Sequence, residues 1–181
     1  MLVAQQKRNE NIAEYVLYMF QIEDIIRAYN LDIQKIDDEI VSQYDEDYDT
    51  KRDIREWYQA IINMLKDNRI EKSGHIPLVQ SMMDELENLH LTLIKNKSKE
   101  TYREAFAKAK PSIEELKMKS GKEGISDIEV CFNGLYGLLL LKMQKKKITP
   151  ETEKAFEHIS EFIARLSSEF HKYEKGQSDE N

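Results

Sequence analysis

Ser126-Asp127-Ile128-Glu129-Val130-Cys131-Phe132-Asn133-Gly134-Leu135-Tyr136-Gly137-Leu138-Leu139-Leu140-Leu141-Lys142-Met143 is the most apolar stretch of the chain. Ser126 followed three residues later by Glu129 has the form of a capping box, in which each side chain satisfies a free amide of the first helical turn. Nothing in the run alternates, so it reads as a helix rather than a strand. Lys142 and Lys145-Lys146-Lys147 crowd its carboxyl end, where positive charge complements the exposed carbonyls. A helix apolar on every side belongs inside a protein, which predicts a central helix over about 126–146. Gly134 and Gly137 each cost about 1 kcal/mol of helix propensity relative to alanine. Close approach of a neighbouring helix is the usual reason for such a cost, and access of a ligand to the backbone is the rarer one.

Outward from this segment the chain continues in helical period. From about Asn9 to Asn30, Ile12, Val16, Met19, Ile22 and Ile26 are helically spaced while Tyr15, Tyr18, Phe20 and Tyr29 fill other directions, which predicts a second buried helix. Asp32 to Tyr44 is a shorter helix, and Asp45-Glu46-Asp47-Tyr48-Asp49 is a solvated acidic loop. Thr50 begins a helix with the stripe Ile54, Trp57, Tyr58, Ile61, Met64 and Leu65, and Pro77 suits the first turn of the next. A helix bearing Tyr102, Ala105, Phe106 and Ala109 is expected to break at Pro111, which lacks the amide hydrogen, and to restart at Ser112-Ile113-Glu114-Glu115. Thr149-Pro150-Glu151 opens the last helix. The expected fold is all-α: a single-domain bundle of six to eight helices over 1–173, with two largely buried central helices (about 9–30 and 126–146) and a disordered polar tail at 174–181.

Composition bounds the function. The 181 residues are 40% hydrophobic and 34% charged with only 6 Gly and 3 Pro, which suits helices with solvated outer faces. A formal net charge of -7 argues against nucleic acid as the main ligand, since phosphate binding needs clustered excess cation. Cys131 is the lone cysteine, so the chain has no internal disulfide and no multi-thiolate metal site, as befits a reducing compartment. No apolar run approaches the roughly 20 residues of a membrane span, and the amino-terminal residues turn polar too early for a signal peptide. The expected setting is cytoplasmic, away from membranes.

Few residues suggest chemistry. Glu87 and His90 have the Glu-x-x-His spacing of carboxylate-bridged metal bundles, but no second such pair occurs. His90 falls on the apolar side of its helix with Val79, Met83, Leu86 and Ile94, and is expected to point inward and bond a carbonyl or side chain. Glu14, Tyr18 and Gln21 share one stripe of the first helix, and Glu129, Asn133 and Tyr136 share one of the central helix. If the two stripes face each other they enclose a polar pocket with His90; otherwise each is the solvent edge of its helix. Glu23 and Arg27 are spaced as a helix ion pair, with Asp24 also in reach of Arg27. No catalytic residue, metal ligand set or cofactor is assigned.

Three stretches carry a resemblance: Ala4-Gln5-Gln6-Lys7-Arg8 through Gln21-Ile22-Glu23-Asp24-Ile25-Ile26-Arg27-Ala28-Tyr29-Asn30, Arg55-Glu56-Trp57-Tyr58, and Glu129-Val130-Cys131-Phe132-Asn133-Gly134-Leu135-Tyr136-Gly137. Together they resemble an uncharacterised, all-helical family of Bacteroidetes proteins. The resemblance covers most of the chain and implies a bacterial cytoplasmic protein, with no activity, cofactor or catalytic residue to carry over. Phe20 stands where members of that family often have Trp.

Two roles follow as expectations. One is a non-enzymatic protein-interaction or structural module, as a homodimer or with a protein partner, to which Tyr44, Trp57 and Tyr58 contribute surface. The other is a small-molecule- or metal-binding bundle, an enzyme included, working through the polar pocket.

Overall fold

The computed structural model describes residues 2–176, with Leu2 described by its backbone alone. Among them lie eight α-helices and no strand: α1 (Leu2–Glu10), α2 (Ile12–Ala28), α3 (Ile33–Glu39), α4 (Tyr48–Asp67), α5 (Pro77–Leu93), α6 (Glu100–Ser120), α7 (Asp127–Met143) and α8 (Pro150–Glu174). The all-α class is as expected. Residues 177–181, most of the expected disordered tail, lie outside the described ones.

The helices gather into two compact units that interleave in sequence. One takes the residues up to Glu10 together with Tyr18–Ser81, and the other Asn11–Leu17 together with the residues from Met82 on.

In the first unit, α3, α4 and a short 3-10 turn at Val41–Gln43 pack together. Asp32 caps α3 by accepting from the amides of Gln34 and Lys35. Asp47, rather than Thr50, caps α4, so the acidic loop ends inside the helix start. An aspartate in that place satisfies an orphan amide and sits well against the positive end of the dipole. Ile54, Tyr58, Ile61, Ile62 and Leu65 form the buried face of α4.

In the second unit, α6, α7 and α8 pack on one another. The first helix predicted from the sequence is divided at Asn11, whose side chain accepts from the amides of Ala13 and Glu14 and so starts α2 afresh. Two residues of α8 complete that cap: Ser167 donates its hydroxyl to Asn11 Oδ1 at 2.8 Å, and Nε2 of His171 accepts from the Ile12 amide at 3.2 Å. Pro111 does not interrupt α6, which runs unbroken through it. Pro111 and Ala107, the residue one turn back, are both exposed, so water reaches the carbonyl left without its amide. Burial of Tyr102, Ala105, Ala109 and Ile113 on the opposite face offsets the lost bond.

The two helices expected at the centre differ. Along α2, Ile12, Val16, Met19, Phe20, Ile22, Glu23 and Ile26 are all buried. In α7 only Ile128, Val130, Cys131 and Phe132 are buried; residues 133–140 are half-buried, Leu141 is 39% exposed and Met143 67%. Its apolarity therefore exceeds what the chain covers.

Candidate functional site

The amino end of α7 meets α5 and α6 in a polar network. Ser126 Oγ accepts from the Glu129 amide at 3.0 Å, as the capping box requires, and Glu87 on α5 accepts from the Ile128 amide at 3.1 Å. One turn along α5, His90 is completely buried, with Nδ1 2.8 Å from the hydroxyl of Tyr102 on α6 and Nε2 3.6 Å from Oδ2 of Asp127. Asp127 also pairs with Lys117. The rings of Phe106 and Phe162 stand edge-on to the imidazole at 4.6 and 5.2 Å and exclude water.

Burial pushes the Tyr102 phenol up, so it stays protonated and shares a hydrogen bond with Nδ1. Nε2 of the same ring faces Asp127. Facing His90 and Lys117, the Asp127 carboxyl is held down to about 2. At 3.6 Å Nε2 and Oδ2 stand beyond full hydrogen-bond reach, and Nε2 is left without a hydrogen-bond partner. The inward histidine bonded to a side chain matches the expectation for His90, whereas Glu87 shares no ligand with it: each serves the start of α7.

The other expected residues are placed as follows. Glu14 is exposed and accepts from Asn11 Nδ2 at 3.3 Å. Tyr18 is half-buried under the Lys7 ammonium, 5.9 Å from its ring centre, and burial followed by Tyr44 pushes its phenol up to about 12. Gln21, Asn133 and Tyr136 are half-buried. Glu129 is half-buried with Lys122 3.9 Å away. Tyr58 is buried, so it adds nothing to the surface, while Trp57 and Tyr44 are half-buried. Cys131 is fully buried and its thiol is pushed up by burial, as suits a small core hydrophobe.

Gly134 and Gly137 separate cleanly. A β-carbon on Gly134 would stand 2.9 Å from Leu116 Cδ1 and 3.0 Å from Phe156 Cε1, so α6 and α8 approach too closely for a side chain. A β-carbon on Gly137 would meet nothing within 4 Å. No neighbour among the described residues explains that glycine.

A buried carboxylate escaped the sequence reading. Glu23 does not pair with Arg27; it is completely buried, 2.6 Å from Nδ1 of His75 and accepting from the Ile76 amide at 2.8 Å. Arg27 instead donates to the carbonyls of Ile70 and Gly74 and to Asp24. The signal was present, because Glu23 falls in helical register with Val16, Met19 and Ile26, on the stripe that had to be buried.

A cleft of about 450 Å³ runs between α5 and α8 over Leu89, Leu93 and Phe170, beside an ion pair of Lys99 and Glu169 at 2.9 Å. None of the seven expected pocket residues lines it. Among the described residues, no three His, Cys, Asp or Glu side chains are grouped to hold a metal ion, and no helix is long and apolar enough to cross a membrane.

No curated protein and no solved structure matches the sequence. Residues 1–177 match a family described as Domain of unknown function (DUF4924), with which the resemblance noted above agrees at the level of an uncharacterised domain family. Spanning nearly its whole length, that match shows that the chain belongs to the DUF4924 family.

Proposed function

We propose that the protein is a protein-interaction module that assembles with a second copy of itself through the carboxyl half of α7. The carrying observation is that the most apolar helix of the chain leaves Leu135, Tyr136 and Leu138–Leu140 half-buried and Leu141 and Met143 exposed. Apolar surface of this kind is stabilised by removal from water, at about 25 cal/mol per Å². Gly137 adds a notch on the same helix where a partner's side chain can approach the backbone. Charge favours an antiparallel self-pairing: Glu123 and Glu129 lie near the amino end, and Lys142 and Lys145–Lys147 lie at the carboxyl end. Two copies related by a two-fold axis bring unlike ends together, and their helix dipoles oppose. The reading includes a cytoplasmic setting, supported by the single cysteine, and a Bacteroidetes origin, supported by the stretches quoted above.

The test is the mass in solution. Sedimentation equilibrium at micromolar concentrations gives a dimer for the full chain and a monomer for L138E/L141E with an unchanged helical circular-dichroism spectrum. A wild-type chain that remains monomeric throughout, or a double variant that remains dimeric, overturns the proposal.

A further inference from the structure

His75, on the loop between α4 and α5, is held in a way that leaves one nitrogen available. Glu23 Oε1 is occupied by the Ile76 amide at 2.8 Å, and Oε2 lies 2.6 Å from His75 Nδ1. A carboxylate only accepts, so Nδ1 carries a proton, and whenever the ring is neutral its lone pair is on Nε2. Phe20 lies flat against the ring, 3.8 Å between centres and 14° between planes, which fixes where Nε2 points. The side chain keeps 18% of its surface exposed. Nε2 is neither sealed from solvent nor bonded to any described residue. Arg27, one turn beyond Glu23, anchors the loop through the carbonyls of Ile70 and Gly74.

A core histidine that only satisfied Glu23 would need neither the second anchor on the loop nor an open Nε2. An imidazole oriented through Nδ1 by a buried carboxylate, with Nε2 not sealed from solvent, is the arrangement a histidine needs to take a proton or attack an electrophile. We infer that His75 is a nucleophile for acyl transfer, with activated esters and thioesters as its substrate class. Nε2 forms a bond to the carbonyl carbon, and the carbon–oxygen or carbon–sulfur bond breaks. Its electron pair leaves with the alcohol or thiol, which gains a proton from water. The acyl-imidazolium so formed keeps its Nδ1 proton against Glu23, whose buried negative charge stabilises the new positive one. Water then cleaves the acyl–nitrogen bond, returning neutral His75 and a carboxylic acid, so the sum is hydrolysis. Phosphoryl donors fit less well, because they bring negative charge to a nitrogen already backed by a carboxylate while the Arg27 guanidinium is committed to carbonyls and Asp24. Here His75 is the catalytic residue and Glu23 the positioning residue.

The full chain supplies the test. Diethyl pyrocarbonate, an activated acyl donor, should label His75 at least tenfold faster than half-buried His158, read by peptide mass spectrometry; equal or slower labelling overturns the inference. With p-nitrophenyl acetate, release of p-nitrophenolate should fall at least tenfold in H75Q, and an undiminished rate in folded H75Q overturns it. Glu23→Gln offers one oxygen to two donors, so the nitrogen-15 spectrum of His75 should change from a single Nδ1-protonated tautomer to a mixture as labelling slows. A mixture already present in the wild type would show that Glu23 does not position the ring. The labelling ratio needs no variant and stands even if a substitution prevents folding.

Discussion

Oδ2 of Asp127 stands 3.6 Å from Nε2 of His90, and the same carboxylate is the first helical residue of α7 and the partner of Lys117. One side chain thus joins α5, α6 and α7. Because its folded carboxyl is held to about 2, below the ordinary 3.8, it contributes stability that is fully present above about pH 4 and lost as pH falls towards 2. Asp127→Asn should cost on the order of 2 kcal/mol at pH 7. Urea denaturation of both proteins across this range should show the difference shrinking as the pH drops from 4 to 2. A difference independent of pH would mean that the contribution of Asp127 is not electrostatic.

Arg27 holds the loop that carries His75 by two backbone carbonyls. Arg27→Met retains the aliphatic stem and removes those bonds, which to a charged donor contribute about 1.5–3 kcal/mol each at most. The expected result is a loss of roughly 2 kcal/mol in stability, with faster amide exchange confined to residues 68–76. Unchanged exchange there would show that the loop is held by something other than the guanidinium.

The two glycines of α7 should respond oppositely. Gly137→Ala meets open space and should gain about 0.5–1 kcal/mol of helix stability, while weakening self-association by filling the notch. Gly134→Ala must displace Leu116 and Phe156 and should fall at least about 1 kcal/mol below it. Chemical denaturation at dilutions where the chain is monomeric separates the two effects. Equal stabilities would mean that α6 and α8 yield freely around Gly134.

Local chemistry was legible wherever one segment decides the outcome alone. Ser126 and Thr149 cap the helices their sequences announced, Pro77 and Pro150 stand at helix starts, and the period of apolar residues locates the long helices apart from the expected break at Pro111. His90 was legible as inward-facing from register alone. Its partners were not, because Tyr102 and Asp127 lie on other helices whose rotations are set by packing.

The break at Asn11 and the persistence of α6 through Pro111 show the same limit from two sides. Asn11 caps a new helix with help from Ser167 and His171, which are more than 150 residues away. Pro111 is tolerated because a buried face on α6 outweighs one missing backbone bond. Helix class, length and most caps follow from propensity and periodicity, which act over a turn or two, and the sequence by itself determined them. Tertiary structure alone decided that Glu23 meets His75, that Gly134 is enclosed while Gly137 is open, and that the most apolar helix remains partly uncovered, since each depends on which surfaces distant helices bring together.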